Sequence, residues 1–188
     1  LVAASAFAQE KIKAATTIGM VADLVKQVGG DRVEVDQLMG PGVDPHLYKP
    51  TSTDAGRLSK ADVIFYSGLM LEGRMGDLFA KLARAGNKVY PTTESVPEDL
   101  LTEPKEFAGH YDPHIWFDVS MWAQTVSTII KGLSEVDPAG KEIYEKNGAA
   151  AEVLKVGELP VPEPGPGEVR VRVVASGLNP TDVKSRAG

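Results

Sequence analysis

The chain has 188 residues, 43% hydrophobic and 24% charged, with a formal net charge of −6. That is enough apolar material for one domain with a core, and the acidic balance argues against a nucleic-acid partner. The absence of cysteine excludes disulfides, thiolate zinc sites, cysteine nucleophiles and, within these residues, the lipid-bearing cysteine of a bacterial lipoprotein. Any metal must therefore be held by nitrogen and oxygen.

Residues 1–9 are small and apolar and carry Ala6-Phe7-Ala8 before Gln9. They read as the remnant of a secretory signal peptide with a small-x-small cleavage site, which implies a periplasmic or other extracytoplasmic protein. No other stretch is apolar enough over sufficient length to span a bilayer. Residues 11–17 read as a first strand. Val21, Leu24, Val25 and Val28 follow at helical spacing, and Gly29-Gly30 stops that helix. Val33 and Val35 begin a second strand, broken by Met39-Gly40-Pro41-Gly42, and residues 52–60 read as a helix. The run Asp62-Val63-Ile64-Phe65-Tyr66 suits a parallel strand buried on both faces. Leu71, Met75, Leu78, Phe79 and Leu82 suggest the next helical stripe, and Lys88-Val89-Tyr90 a strand ended by Pro91. A polar loop over 94–109 leads to a helix marked by Trp122, Val126, Ile129, Ile130 and Leu133, and Asp137-Pro138 opens another. Strands alternating with helices predict an α/β lobe with a mostly parallel sheet, whose ligands sit beyond the carboxyl ends of the strands.

Two of the three histidines stand in the same tripeptide, Asp44-Pro45-His46 and Asp112-Pro113-His114, each in a loop. Proline narrows the backbone choices of its neighbours and imidazole is the commonest ligand for a transition metal, so the pair suggests one cation gripped from two loops. The alternative for each histidine is a loop residue bonded to backbone. Asp44 and Asp112 read first as turn formers and second as orienters of the rings. His110 reads as solvated and Asp118 as a helix cap. Glu72 is open between capping a helix at Gly73 and lining a cleft. Trp116, Phe117 and Trp122 read as core.

Four motifs in order carry a resemblance: residues 40–50 around the first tripeptide, then Leu58-Ser59-Lys60-Ala61-Asp62-Val63-Ile64-Phe65, then Gly68-Leu69-Met70-Leu71-Glu72-Gly73-Arg74-Met75, then Asp112-Pro113-His114-Ile115-Trp116-Phe117-Asp118. The chain resembles the zinc- and manganese-binding solute-binding proteins of bacterial metal ABC transporters. The resemblance implies two α/β lobes joined by a long helix, with a metal in the cleft held by two histidines of the first lobe and a histidine or glutamate and an aspartate of the second. His46 and His114 fall on the two first-lobe ligands. It also implies a monomer that receives a divalent zinc or manganese ion as cargo, iron(II) being chemically compatible, and passes it to a membrane permease. A part in cell adhesion stays open, and no enzymatic activity is implied. Residues 10–136 form the metal-binding lobe and 137–150 the start of the interlobe helix. The pattern is left there, so the second lobe and its two ligands are expected to be missing and metal binding weakened.

Composition changes at residue 151: residues 151–188 hold 5 prolines and 5 glycines in 38 residues, against 8 and 14 in the preceding 150. This β-rich tail resembles the amino-terminal end of a zinc-free quinone oxidoreductase of the medium-chain dehydrogenase superfamily, with Asn179 where zinc-dependent relatives place cysteine. Arg170 and Arg172 read as a solvated strand face. No Gly-x-Gly-x-x-Gly loop follows a strand, so nothing would hold NADPH. A non-functional fusion is the alternative to the receptor, and a reductase is the less favoured one. A metallohydrolase would need a third ligand and a general base, and no His-Glu-x-x-His cluster exists.

Overall fold

A computed structural model describes residues 10–105 and 109–151. The signal-peptide remnant at 1–9 lies outside the described residues, as does the oxidoreductase-like tail beyond Ala151. Four strands, β1 (Ile12–Thr16), β2 (Val33–Gln37), β3 (Val63–Tyr66) and β4 (Val89–Pro91), alternate with α1 (Gly19–Gly29), α2 (Ser52–Ser59) and α3 (Gly76–Arg84). Two further helices, α4 (Val119–Val136) and α5 (Lys141–Ala151), close the described chain. No helix of the described residues is long and apolar enough to cross a membrane.

The strands form one parallel sheet in the order β2-β1-β3-β4. Ala14 and Ala15 of β1 and Val63, Ile64 and Phe65 of β3 are almost wholly buried. This is why β3 reads as a continuous apolar run: helices cover both faces of a central parallel strand. Pro91 closes β4 at the sheet edge, where a missing N–H costs no ladder bond. The chain runs outward from β1 to β2 and then returns to β3, so the topological switch lies between β1 and β3.

At that switch, where open α/β sheets commonly leave a crevice, Glu72 fills the space. It is 3% exposed. Its carboxylate accepts from the Thr17 hydroxyl at 2.6 Å and from the N–H groups of Ser67 and Gly68 at 2.8 and 3.3 Å. Burial pushes this carboxyl above its ordinary value, against the pull of those donors.

Helices α1, α4 and α5 pack on one another, and α4 also lies on β3 and β4. Gly132 permits that approach: a Cβ there would lie 2.7 Å from the Phe65 ring. The α4–α5 turn is anchored by Asp137, which accepts from Arg32 Nε at 2.8 Å and from the Tyr144 hydroxyl at 2.6 Å. Tyr144 is fully buried, and Asn147 donates to the Val28 carbonyl at 3.0 Å. These bonds tie α5 to the end of α1 and the start of β2.

Two readings need adjustment. The stripe from Leu71 to Leu82 is not one helix: α3 begins at Gly76, and Leu69 and Met70 take φ values of 49° and 62°. Leu71 and Met75 are nevertheless buried, in a coiled turn wrapped around Glu72. Phe117 is 60% exposed rather than core, while Trp116 and Trp122 are partly buried and pack against the core cluster.

Candidate metal centre

His46 stands on the loop that leaves the carboxyl end of β2. The first residues of this loop stay on the neighbouring strand, with Leu38 and Met39 donating to the Thr16 and Thr17 carbonyls at 2.9 Å. Its far end is pinned at the start of α2. There Thr51 and Asp54 form a reciprocal capping box, and the Tyr48 hydroxyl donates to Asp54 at 2.9 Å. Burial pulls the Asp54 carboxyl up, but bonds from Thr51 and Tyr48 and the charge of Arg57 leave it below its usual value. At the loop's turn Asp44 accepts the backbone N–H of His46 at 2.9 Å, the aspartate turn its sequence position suggests.

The second tripeptide repeats that turn: Asp112 accepts the N–H of His114 at 3.0 Å. Asp112 is held in place by its own N–H, which donates to the Thr102 carbonyl at 2.8 Å. Immediately after, Asp118 caps α4, its Oδ1 accepting from Ser120 and Met121 at 2.9 and 3.1 Å. The Ser120 hydroxyl, which donates to the same oxygen at 2.6 Å, and these backbone donors hold the Asp118 carboxyl below its usual range. A rigid 18-residue helix therefore starts a few residues beyond His114.

The two loops bring the rings together. His46 Nε2 and His114 Nε2 are 3.2 Å apart, across 68 residues of sequence. Their centroids are 5.2 Å apart with the planes inclined by 50°. Two nitrogens sharing one tetrahedral zinc at about 2.0–2.1 Å would stand about 3.3–3.4 Å apart, so the pair matches the spacing a single ion needs. Trp116 meets the His114 ring edge-on at 5.1 Å. Val43 and Leu47 on the first loop and Phe117 beyond the second are all exposed.

His110 is exposed. Among the described residues no group of three or more histidine, cysteine or acidic side chains could hold a metal. The pair offers two nitrogens and leaves the remaining coordination positions to other donors. The orienting reading holds for one aspartate: the Asp112 carboxylate also contacts the His114 ring, at 2.6 Å from Nδ1, while Asp44 bonds only the backbone N–H of His46. Burial raises the Asp112 carboxyl, but the backbone and ring bonds of His114 outweigh it and leave it below its usual value.

Residues 15–153 match the family model described as Zinc-uptake complex component A periplasmic. The zinc-binding protein TroA of Treponema pallidum is 45% identical over 125 residues, covering 65% of this chain and 39% of that protein. The manganese ABC transporter substrate-binding lipoprotein PsaA of Streptococcus pneumoniae is 37% identical over 145 residues, covering 75% of this chain and 47% of that protein. The solved structure of periplasmic zinc-binding TroA superimposes with a TM-score of 0.71 at 39% identity, over 76% of this chain and half of that one. The chain thus spans less than half the length of these curated relatives.

Proposed function

The chain belongs to the periplasmic zinc-uptake component A family, and from that premise we propose that it forms part of an extracytoplasmic metal receptor in which His46 and His114 hold one divalent ion. Relatives named for zinc and for manganese make either ion a reasonable cargo. The ion is captured and handed on, not used for chemistry, and its recipient is an ABC transporter permease in the membrane. The one observation that carries this reading is the 3.2 Å approach of the two Nε2 atoms. A close pair of imidazoles fits a borderline divalent cation better than magnesium or calcium, which prefer oxygen.

We further propose that residues 10–136 act as the metal-binding lobe, residues 137–150 as the start of an interlobe helix, and the segment from residue 151 as separate sequence. The end of the family match at residue 153 supports that division. These residues supply two imidazole ligands, and two nitrogens alone hold a cation weakly. Titration calorimetry with zinc on the full chain and on His46→Ala tests the reading. Weak one-to-one binding that disappears in the variant is the expected result. Tight binding that survives the substitution would refute the assignment.

A further inference from the structure

The two tripeptides are identical in sequence and differ in what their aspartates do. Each carboxylate accepts its histidine's backbone N–H, at 2.9 and 3.0 Å. Only Asp112 also reaches a ring, with Oδ1 2.6 Å from His114 Nδ1. A carboxylate can only accept, so Nδ1 is the donor in that bond. In a neutral ring the lone pair is then on Nε2, the atom that faces His46. The His46 ring has no such anchor: the only hydrogen-bond partner of its nitrogens among the described residues is His114 Nε2. The two rings also differ in support. Trp116 packs edge-on against His114 and Phe117 lies 6.4 Å from it, whereas His46 stands exposed on its loop.

We propose that Asp112 is a positioning residue that fixes His114 in the Nδ1–H tautomer with Nε2 presented for metal, while Asp44 serves only its turn. His114 is accordingly the pre-organised ligand of the pair, and His46 the one whose ring no carboxylate orients. The inference rests on the metal-receptor reading above. A carboxylate that orients a ligating imidazole typically changes metal affinity about 10–100-fold when removed.

Two readouts on the full chain separate this proposal from the reading beneath it. The first is two-bond proton–nitrogen correlation NMR of the metal-free protein, which distinguishes a protonated ring nitrogen from one carrying a lone pair. The second is zinc titration. Wild-type protein is expected to show His114 protonated at Nδ1. Asp112→Ala is expected to lose that signature and to bind zinc about 10–100-fold more weakly. Asp112→Asn keeps an acceptor oxygen at the same place and should retain the signature and most of the affinity. Asp44→Ala should leave the His114 signature intact and weaken zinc binding far less than Asp112→Ala.

Persistence of the Nδ1–H signature in Asp112→Ala would overturn the proposal. Equal loss of affinity in Asp112→Ala and Asp44→Ala would also overturn it, since that marks two turn formers of equal weight. Loss of the signature with unchanged affinity would show that the bond orients the ring without serving the metal. Zinc binding indifferent to both His46→Ala and His114→Ala would instead remove the receptor reading, whatever the tautomer proves to be.

Discussion

Replacing Tyr144 by phenylalanine isolates one bond that fixes the α4–α5 turn. The ring is fully buried, and its hydroxyl donates at 2.6 Å to a carboxylate that is only 6% exposed. Removing the oxygen keeps the packing and deprives Asp137 of one donor, while Arg32 remains. A hydrogen bond to a charged group contributes about 1.5–3 kcal/mol, and exclusion of water from both partners favours the middle of that range, about 2 kcal/mol. For a chain of this size that corresponds to a fall in Tm of about 4–8 °C. Urea unfolding at neutral pH should show a lower midpoint with an unchanged slope. The pH dependence supplies an internal check. Burial and the bond to Asp137 raise the Tyr144 hydroxyl from its ordinary 10.0 to about 12. A raised value means that the stabilisation is complete below the ordinary tyrosine range and is lost as pH rises through the folded value. Wild-type protein should therefore lose stability between about 10 and 12, and Tyr144→Phe should show a shallower alkaline limb. Some slope remains in the variant, because burial and Glu135 also push Tyr90 upward. A stability loss below about 0.5 kcal/mol, or an alkaline limb identical in both proteins, would show that the Tyr144–Asp137 bond does not hold the turn.

Other substitutions test the parts that hold the histidines. Asp118→Ala removes the cap of α4 and should lower stability by about 1 kcal/mol, read by urea unfolding, with Asp118→Asn recovering most of it. Glu72→Ala leaves the Thr17 hydroxyl and two backbone donors without their acceptor. It should cost about 3 kcal/mol or more, with hydrogen exchange at Ser67 and Gly68 accelerating beyond the global change.

The alternation of strands and helices was legible because the periodicities are clean: Val21, Leu24, Val25 and Val28 mark one helix face, and Val63-Ile64-Phe65 a strand buried on both sides. The coil after β3 was not. Leu71 and Met75 keep helical spacing because both are buried around Glu72, yet Leu69 and Met70 lie in the left-handed region. The glycines at 68, 73 and 76 were the available warning. Phe117 carries no local sign that its side chain faces outward. The pairing of His46 with His114 joins loops 68 residues apart, which no local periodicity encodes. The repeated Asp-Pro-His tripeptide suggested it, and family resemblance matched both histidines to ligand positions. The unequal roles of Asp44 and Asp112 were invisible for a plainer reason. Identical tripeptides cannot encode a difference that arises from how each loop is held.

X-ray absorption spectroscopy of the zinc-loaded chain tests the shared-ion geometry most directly. Two imidazole nitrogens should lie at about 2.0–2.1 Å from one zinc, falling to one in either His46→Ala or His114→Ala. A zinc shell without two histidine nitrogens in the wild-type protein, or a shell unchanged by both substitutions, would contradict that geometry.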